Sequence, residues 1–159
     1  MSIRAGIGWD SHRLEAGRRL ILGGIDLEHD RGLSGHSDAD VLTHAVMDAL
    51  LGAAGCGDIC QWFPDTDARY KDADSIALMR VLVAELEARG VRPTHCDTTV
   101  VMERPKLAPH RDAIRESLAG GLKLPFESVN VKASTGEGLG FVGREEGVAA
   151  LAIVTIDAA

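Results

Sequence analysis

The chain lacks three features that would place it in a specialised class: a long apolar run, a block of basic residues and a set of paired cysteines. No segment approaches the roughly 20 apolar residues that span a bilayer, so no membrane partner is expected. The opening MSIRAGIGWDSH has no apolar stretch of signal-peptide length. Lysines and arginines are scattered. With 24 acidic and 17 basic residues the formal charge is −7, which excludes the basic face of a general nucleic-acid binder. Three cysteines, Cys56, Cys60 and Cys96, without a secretory signal indicate reduced thiols and a cytoplasmic protein. Cys56 and Cys60 lie one helical turn apart and read as small core residues, because the further ligands of a zinc knuckle are absent nearby. Also missing are the phosphate loop Gly-x-x-x-x-Gly-Lys and the nucleophile elbow Gly-x-Ser-x-Gly, and the one Gly-x-Gly-x-x-Gly spacing, Gly138–Gly143, lies in a glycine-rich loop rather than directly after a strand as the dinucleotide fingerprint requires.

What is present suits one ordinary globular domain over residues 1–159. Such a length buries roughly 70% of its unfolded surface and needs no staples. Ile3, Ala5, Ile7 and Trp9 alternate with small or polar residues, the pattern of a half-buried strand running into Asp10-Ser11-His12. Short strands are expected at Arg19–Leu22, stopped by Gly23-Gly24, and at Ile25–Glu28. Asp38-Ala39-Asp40 reads as a helix start, followed by an apolar face from Val41 to Ala53 and a stop at Gly55. Gly57–Tyr70 reads as an ordered loop. A second helix is expected from Asp74 to Arg89, ended by Gly90. Cys96–Glu103 is β-rich, and Pro109 fits the first turn of a helix running to about Leu118. Val129–Ala133 is a strand, Gly136–Gly147 a glycine-rich loop, and Val148–Ile156 a central strand buried on both faces. The order is not strict βαβ alternation. It indicates an α+β domain with one mixed β-sheet and helices packed on one face.

Several residues can carry chemistry. Asp10 and His12 stand two apart on a strand, so both side chains point to one face and can meet one metal ion. The other reading is a polar strand end. His44 lies in the first apolar helix and needs a partner, for which Asp40 is one turn away. It is either a satisfied core histidine or a third ligand, and catalytic zinc takes three protein ligands with a fourth position open. In His36-Ser37-Asp38-Ala39-Asp40, Ser37 and Asp38 suffice for capping. His36 and Asp40 are then surplus, free to bind substrate or to orient metal ligands. Phe63-Pro64-Asp65-Thr66-Asp67 is a turn or a pair of carboxylates for sugar hydroxyls. Ser134, Thr135 and Gly136 end a strand with hydroxyls and free N–H groups that suit phosphate oxygens. Glu137 beside them suits a hard cation shared with phosphates. Arg144 and Glu146 can simply pair.

In order along nearly the whole chain, Gly8-Trp9-Asp10-Ser11-His12, Leu22-Gly23-Gly24, His36-Ser37-Asp38-Ala39-Asp40-Val41, His44, Phe63-Pro64-Asp65-Thr66-Asp67, Pro105-Lys106, Asn130-Val131-Lys132-Ala133 and Leu139-Gly140-Phe141-x-Gly143-Arg144-x-Glu146-Gly147 resemble the 2-C-methyl-D-erythritol 2,4-cyclodiphosphate synthase family. The resemblance implies a lyase of the non-mevalonate isoprenoid pathway acting on a small cytidine diphosphate substrate and releasing CMP. It implies a homotrimer with inter-subunit active sites and with the sheets facing its centre. By the same resemblance one zinc per subunit sits on Asp10, His12 and His44. His36, Ser37, Asp58, Asp65 and Asp67 line the methylerythritol phosphate pocket. Met102, Pro105, Lys106, Leu107 and Ala108 face the cytosine, and Ser134 and Thr135 contact the diphosphate. Glu137 binds magnesium or manganese. His36 and Thr135 position the transition state, and Phe141 and Arg144 belong to an axial region suited to an isoprenoid diphosphate. Trp9, Ser134 and Gly138 depart from the family pattern; Gly138 follows Glu137 where a longer side chain is usual, a change expected to loosen that loop. Two other classes fit parts of the pattern: a zinc-dependent phosphoester hydrolase and a non-catalytic trimer that binds isoprenoid diphosphates.

Overall fold

In the computed structural model, residues 2–159 are described. Five strands form one mixed sheet: β1 (Ser2–Ala16), β4 (Arg31–Leu33), β5 (Val91–Val101), β6 (Val129–Ser134) and β7 (Gly147–Ala158), in the order β4-β1-β7-β5-β6. β5 and β6 are parallel and every other pair is antiparallel. β2 (Leu20–Leu22) and β3 (Ile25–Leu27) form a separate hairpin. The long helices are α1 (Val41–Ala54), α3 (Ser75–Ala88) and α4 (Arg111–Leu122). Two single turns, α2 (Ile59–Trp62) and α5 (Gly140–Gly143), lie in connecting segments. The fold is the expected α+β domain with a mixed sheet. Among the described residues, no helix is long and apolar enough to cross a membrane.

Helix α1 is the centre of the core, and why it forms is local. The Asp40 carboxylate caps it by accepting from Thr43 N at 3.0 Å and Thr43 Oγ1 at 2.7 Å. Gly55, at φ 69, closes it in the left-handed region that favours glycine. Its alanines lie directly on β1. A Cβ built on Gly8 would stand 1.8 Å from the Ala45 carbonyl oxygen, and one on Gly6 2.0 Å from that of Ala49. Helix and strand backbones therefore touch, which no residue larger than glycine permits. α3 packs on α1 and β5, and α4 on α3 and β6.

That contact reverses one expectation. The glycines of β1 face the helix, while the apolar members of the alternation face away from it: Ile3 is 76% exposed, Ile7 70% and Trp9 54%. β7 is central, as expected, but is not buried on both faces. Val148, Ala150, Ala152, Val154 and Ile156 are buried, whereas Ile153 is 49% exposed opposite Ile7. A single chain thus leaves one apolar sheet face open.

Other boundaries moved for identifiable reasons. β4 was not expected; it is three residues long, and Gly32 sits where a Cβ would meet the Arg18 and Arg19 carbonyls at 2.2 Å. β5 begins five residues before Cys96, admitting Pro93 beside a register shift between Pro93 and His95. Pro109 belongs to a 3₁₀ turn, Ala108–His110, and α4 follows it and runs past Leu118 to Leu122. Gly57–Tyr70 is not wholly a loop: it contains α2 and a 3₁₀ turn at Ala68–Tyr70. Cys56 is half-buried and Cys60 exposed, so only Cys96 of the three thiols is a core residue.

Gly8→Ala is expected to cost about 3 kcal/mol or more, since the added methyl meets backbone on both sides and no rotamer relieves it. Denaturant unfolding of the two proteins measures the difference; a loss below 1 kcal/mol (about the cost of an ordinary surface change) would contradict the contact.

Candidate metal centre and nucleotide pocket

The glycine contact sets His44, the residue before Ala45, opposite Asp10, two residues beyond Gly8. Asp10 Oδ2 lies 2.9 Å from His12 Nε2 and 3.1 Å from His44 Nδ1, and the two ring nitrogens are 3.3 Å apart. These three are the one group of metal-ligating side chains within mutual reach among the described residues. Ligands at about 2.1 Å around a tetrahedral ion stand about 3.4 Å apart, so the triangle has the right size for zinc.

The donor set also has the right chemistry. The His12 Nδ1–H donates to the Ser34 carbonyl at 2.9 Å, which leaves a lone pair on Nε2. Asp10 offers only lone pairs. Three electron-rich atoms converge, and a cation must sit among them. Without a metal, a proton serves. Burial would raise the Asp10 carboxyl, but the hydrogen bond of His12 leads the causes that outweigh it and hold the group at about 2. Burial would likewise lower His12, but the Asp10 carboxylate wins and moves it above 6.5.

The triad lies in a cavity of about 270 Å³ that also draws in His36, Ser37 and Asp65. His36 Nε2–H donates to the Asp67 carbonyl at 2.8 Å, leaving Nδ1 free. Asp58 and Asp67 are not among the lining residues. The first caps α2 through Gln61 N at 3.1 Å, and the second is paired with Arg69 at 2.7 Å. Asp40 was expected to serve the site, and it does not. Its carboxylate is wholly buried in the α1 cap and the Gly23 and Gly24 amides, and burial pushes it up. Asp38 is nearer the metal site, through Ser75. Cys60, Ile59 and Tyr70 also line the cavity and carried no signal, because α2 and the turn after it were read as plain loop.

A second cavity, about 220 Å³, gathers Met102 and Pro105–Ala108 on one wall and Ser134 and Thr135 on the other, with Glu103 and Arg111 as unforeseen members. Thr135 Oγ1 accepts from Glu137 N at 3.2 Å, so its own proton remains to donate. The loop bearing Glu137 is knit rather than loose. Glu103 accepts from Gly136 N, Leu139 N donates to Gly136 O at 2.8 Å, and Gly138 sits at φ 75, where glycine is at ease. Glu137 itself is exposed. Arg144 and Glu146 pair at 2.9 Å, and Phe141 is partly exposed beside Gly147. Asp10, Ala150, Val100 and Ala133 are successive cross-strand partners. The two cavities therefore open at the same end of the sheet, three strand spacings or about 14 Å apart.

The YgbB family profile matches residues 3–157. The chain is 59% identical over 157 residues to the 2-C-methyl-D-erythritol 2,4-cyclodiphosphate synthase of Salinibacter ruber, covering 99% of this chain and 100% of that protein. A solved 2C-methyl-D-erythritol-2,4-cyclodiphosphate synthase in a CDP-bound form aligns with a TM-score of 0.88 at 41% identity, over 97% of this chain and 100% of that one. The bifunctional IspDF of Campylobacter jejuni aligns with a TM-score of 0.95 at 39% identity, over 99% of this chain, which spans 43% of that longer protein.

His44→Ala should abolish stoichiometric zinc uptake, measured by elemental analysis after dialysis; one zinc per chain in the variant would remove His44 from the ligand set. Metal and proton compete for His12, so zinc affinity should fall as pH drops from about 8 to about 6, read by chelator competition. In the metal-free protein the raised His12 contributes stability that is full below 6.5 and disappears as pH rises through its folded value. The lowered Asp10 contributes above 3.8 and loses its contribution as pH falls toward 2. Thermal unfolding across pH, with and without zinc, should show the alkaline loss only in the metal-free form.

Proposed function

The chain belongs to the YgbB family, two of whose relatives named above are 2-C-methyl-D-erythritol 2,4-cyclodiphosphate synthases, and from that premise we propose that it closes 4-diphosphocytidyl-2-C-methyl-D-erythritol 2-phosphate to the 2,4-cyclodiphosphate with release of CMP. The observation that carries the reading is the convergence of Asp10, His12 and His44, whose facing atoms lie 2.9–3.3 Å apart. Zinc on these three would supply a fixed positive charge beside the reacting phosphate. Magnesium or manganese held by Glu137 would supply positive charge on the leaving side.

The chain's own residues do the rest by positioning. The nucleophile is an oxygen of the substrate's 2-phosphate, already anionic, so no general base is required. Its bond to the β-phosphorus forms as the bond from that phosphorus to the bridging oxygen breaks, and CMP leaves with that oxygen. His36, Ser37 and Asp65 hold the methylerythritol phosphate, with Asp58 and Asp67 shaping the segment that closes over it. Met102 and Pro105–Ala108 hold the cytosine. Ser134 and Thr135 donate to the diphosphate, and His36 and Thr135 steady the charge that develops in transfer.

The assembly we infer is a homotrimer of single-domain chains in the cytoplasm. The open apolar face formed by Ile3, Ile7, Trp9 and Ile153 supports it, because a soluble chain gains by covering such a patch. The separation of the two cavities supports active sites completed between neighbouring subunits. Phe141 and Arg144 then approach the axis, where an isoprenoid diphosphate would meet an apolar ring and a guanidinium.

Purified protein given the diphosphocytidyl substrate should release CMP only when both zinc and magnesium or manganese are present, and should take up no oxygen from labelled water. Label in the product would assign hydrolysis instead. Thr135→Val should lower kcat about 100-fold with little change in zinc content; an unchanged kcat would remove Thr135 from the transition state.

A further inference from the structure

His44 can face the metal cluster with a lone pair only if its proton sits on the other ring nitrogen. We propose that Asp38 and Ser75 are positioning residues for the metal centre, forming a one-way hydrogen-bond relay that fixes this tautomer. The inference rests on reading Asp10, His12 and His44 as a metal centre.

The Ser75 hydroxyl is wholly buried between Asp38 Oδ1 and His44 Nε2, 2.9 Å from the latter. A carboxylate only accepts, so the single hydroxyl proton goes to Asp38. Ser75 therefore meets His44 with a lone pair, and Nε2 must carry hydrogen. Nδ1 is left bare, and it is the atom that faces Asp10 Oδ2 and His12 Nε2. Asp38 cannot swing away. Its Oδ2 accepts from Ser75 N at 2.9 Å, and its Oδ1 also accepts from Asp40 N at 3.1 Å. Ala39, at φ 56, turns the chain between the two acids, so that Asp38 serves the start of α3 while Asp40 caps α1. Ser37 Oγ, 3.2 Å from the same Nε2, gives no direction, because its own proton is uncommitted. The relay thus ties the first residue of α3 to a ligand carried on α1, and orienting partners of this kind ordinarily change metal affinity by 10–100-fold.

Two variants separate this role from a structural one. Asp38→Ala releases the Ser75 proton to turn onto His44 Nε2, which drives the imidazole proton to Nδ1, the wrong nitrogen for ligation. Ser75→Ala removes the acceptor without supplying a donor and leaves the ring free. Imidazole nitrogen NMR of the metal-free protein should show the Nε2–H tautomer in the unaltered chain, a mixture in Ser75→Ala and mainly Nδ1–H in Asp38→Ala. The zinc dissociation constant, from chelator competition, should rise about 10–100-fold in Asp38→Ala and less in Ser75→Ala. An unchanged tautomer and zinc affinity, with only a lower melting temperature from the lost bond to the Ser75 amide, would overturn the relay. If Asp38→Ala does not fold, Ser75→Ala decides alone by the same readouts. Should the unaltered protein take up no zinc, the metal reading fails, and the tautomer of His44 still tests the relay.

Discussion

Everything about the site depends on the direct contact of two backbones. Gly6 and Gly8 let α1 lie on β1 with its alanine carbonyls where side chains would otherwise be. Packed through ordinary side chains, strand and helix would stand farther apart, which would draw Asp10 Oδ2 and His44 Nδ1 away from their 3.1 Å approach. Removing the side chains at two positions closes that gap. The price is paid on the opposite face, where the strand's apolar residues turn outward and lie exposed on the single chain. The site and the open apolar face are thus two consequences of one packing choice.

The acidic segment before α1 is wired to different elements by a single left-handed residue. Asp40 is buried with four hydrogen bonds and holds the Gly23-Gly24 turn and the α1 start together. Asp38, two residues earlier, holds the α3 start. Both are structural in the sense that they satisfy orphan amides, yet through Ser75 the second also touches the chemistry. A region read as surplus polarity is better described as three elements converging behind one imidazole.

Electrostatics follow from the same arrangement. A chain of charge −7 concentrates Asp10 and Asp65 in the cavity proposed to admit a polyanion. The two divalent ions of the proposed reaction would reverse the field locally without making the surface basic. The second cavity offers instead the hydroxyls of Ser134 and Thr135 together with Lys106, close to the knit loop that carries Glu137.

Much of this was legible in the order of residues. The α+β class, the capped helix at 41–54, the central place of the last strand, the Asp-x-His pair and the hydroxyls after β6 all follow from periodicity and residue chemistry, which act over a few positions. The ordered motifs carried the family. What sequence patterns could not reveal was any choice made between distant segments. Alternation shows that β1 has two unlike faces, but only packing on α1 decided that the glycine face is the buried one. His44 could be read as a core histidine or as a ligand until Gly8 and Ala45 met. Ser75 gave no sign, because its partners lie 31 and 37 positions away. Local propensity is written in neighbouring residues; which neighbour a side chain meets is settled by backbone contacts that form only when the chain has folded.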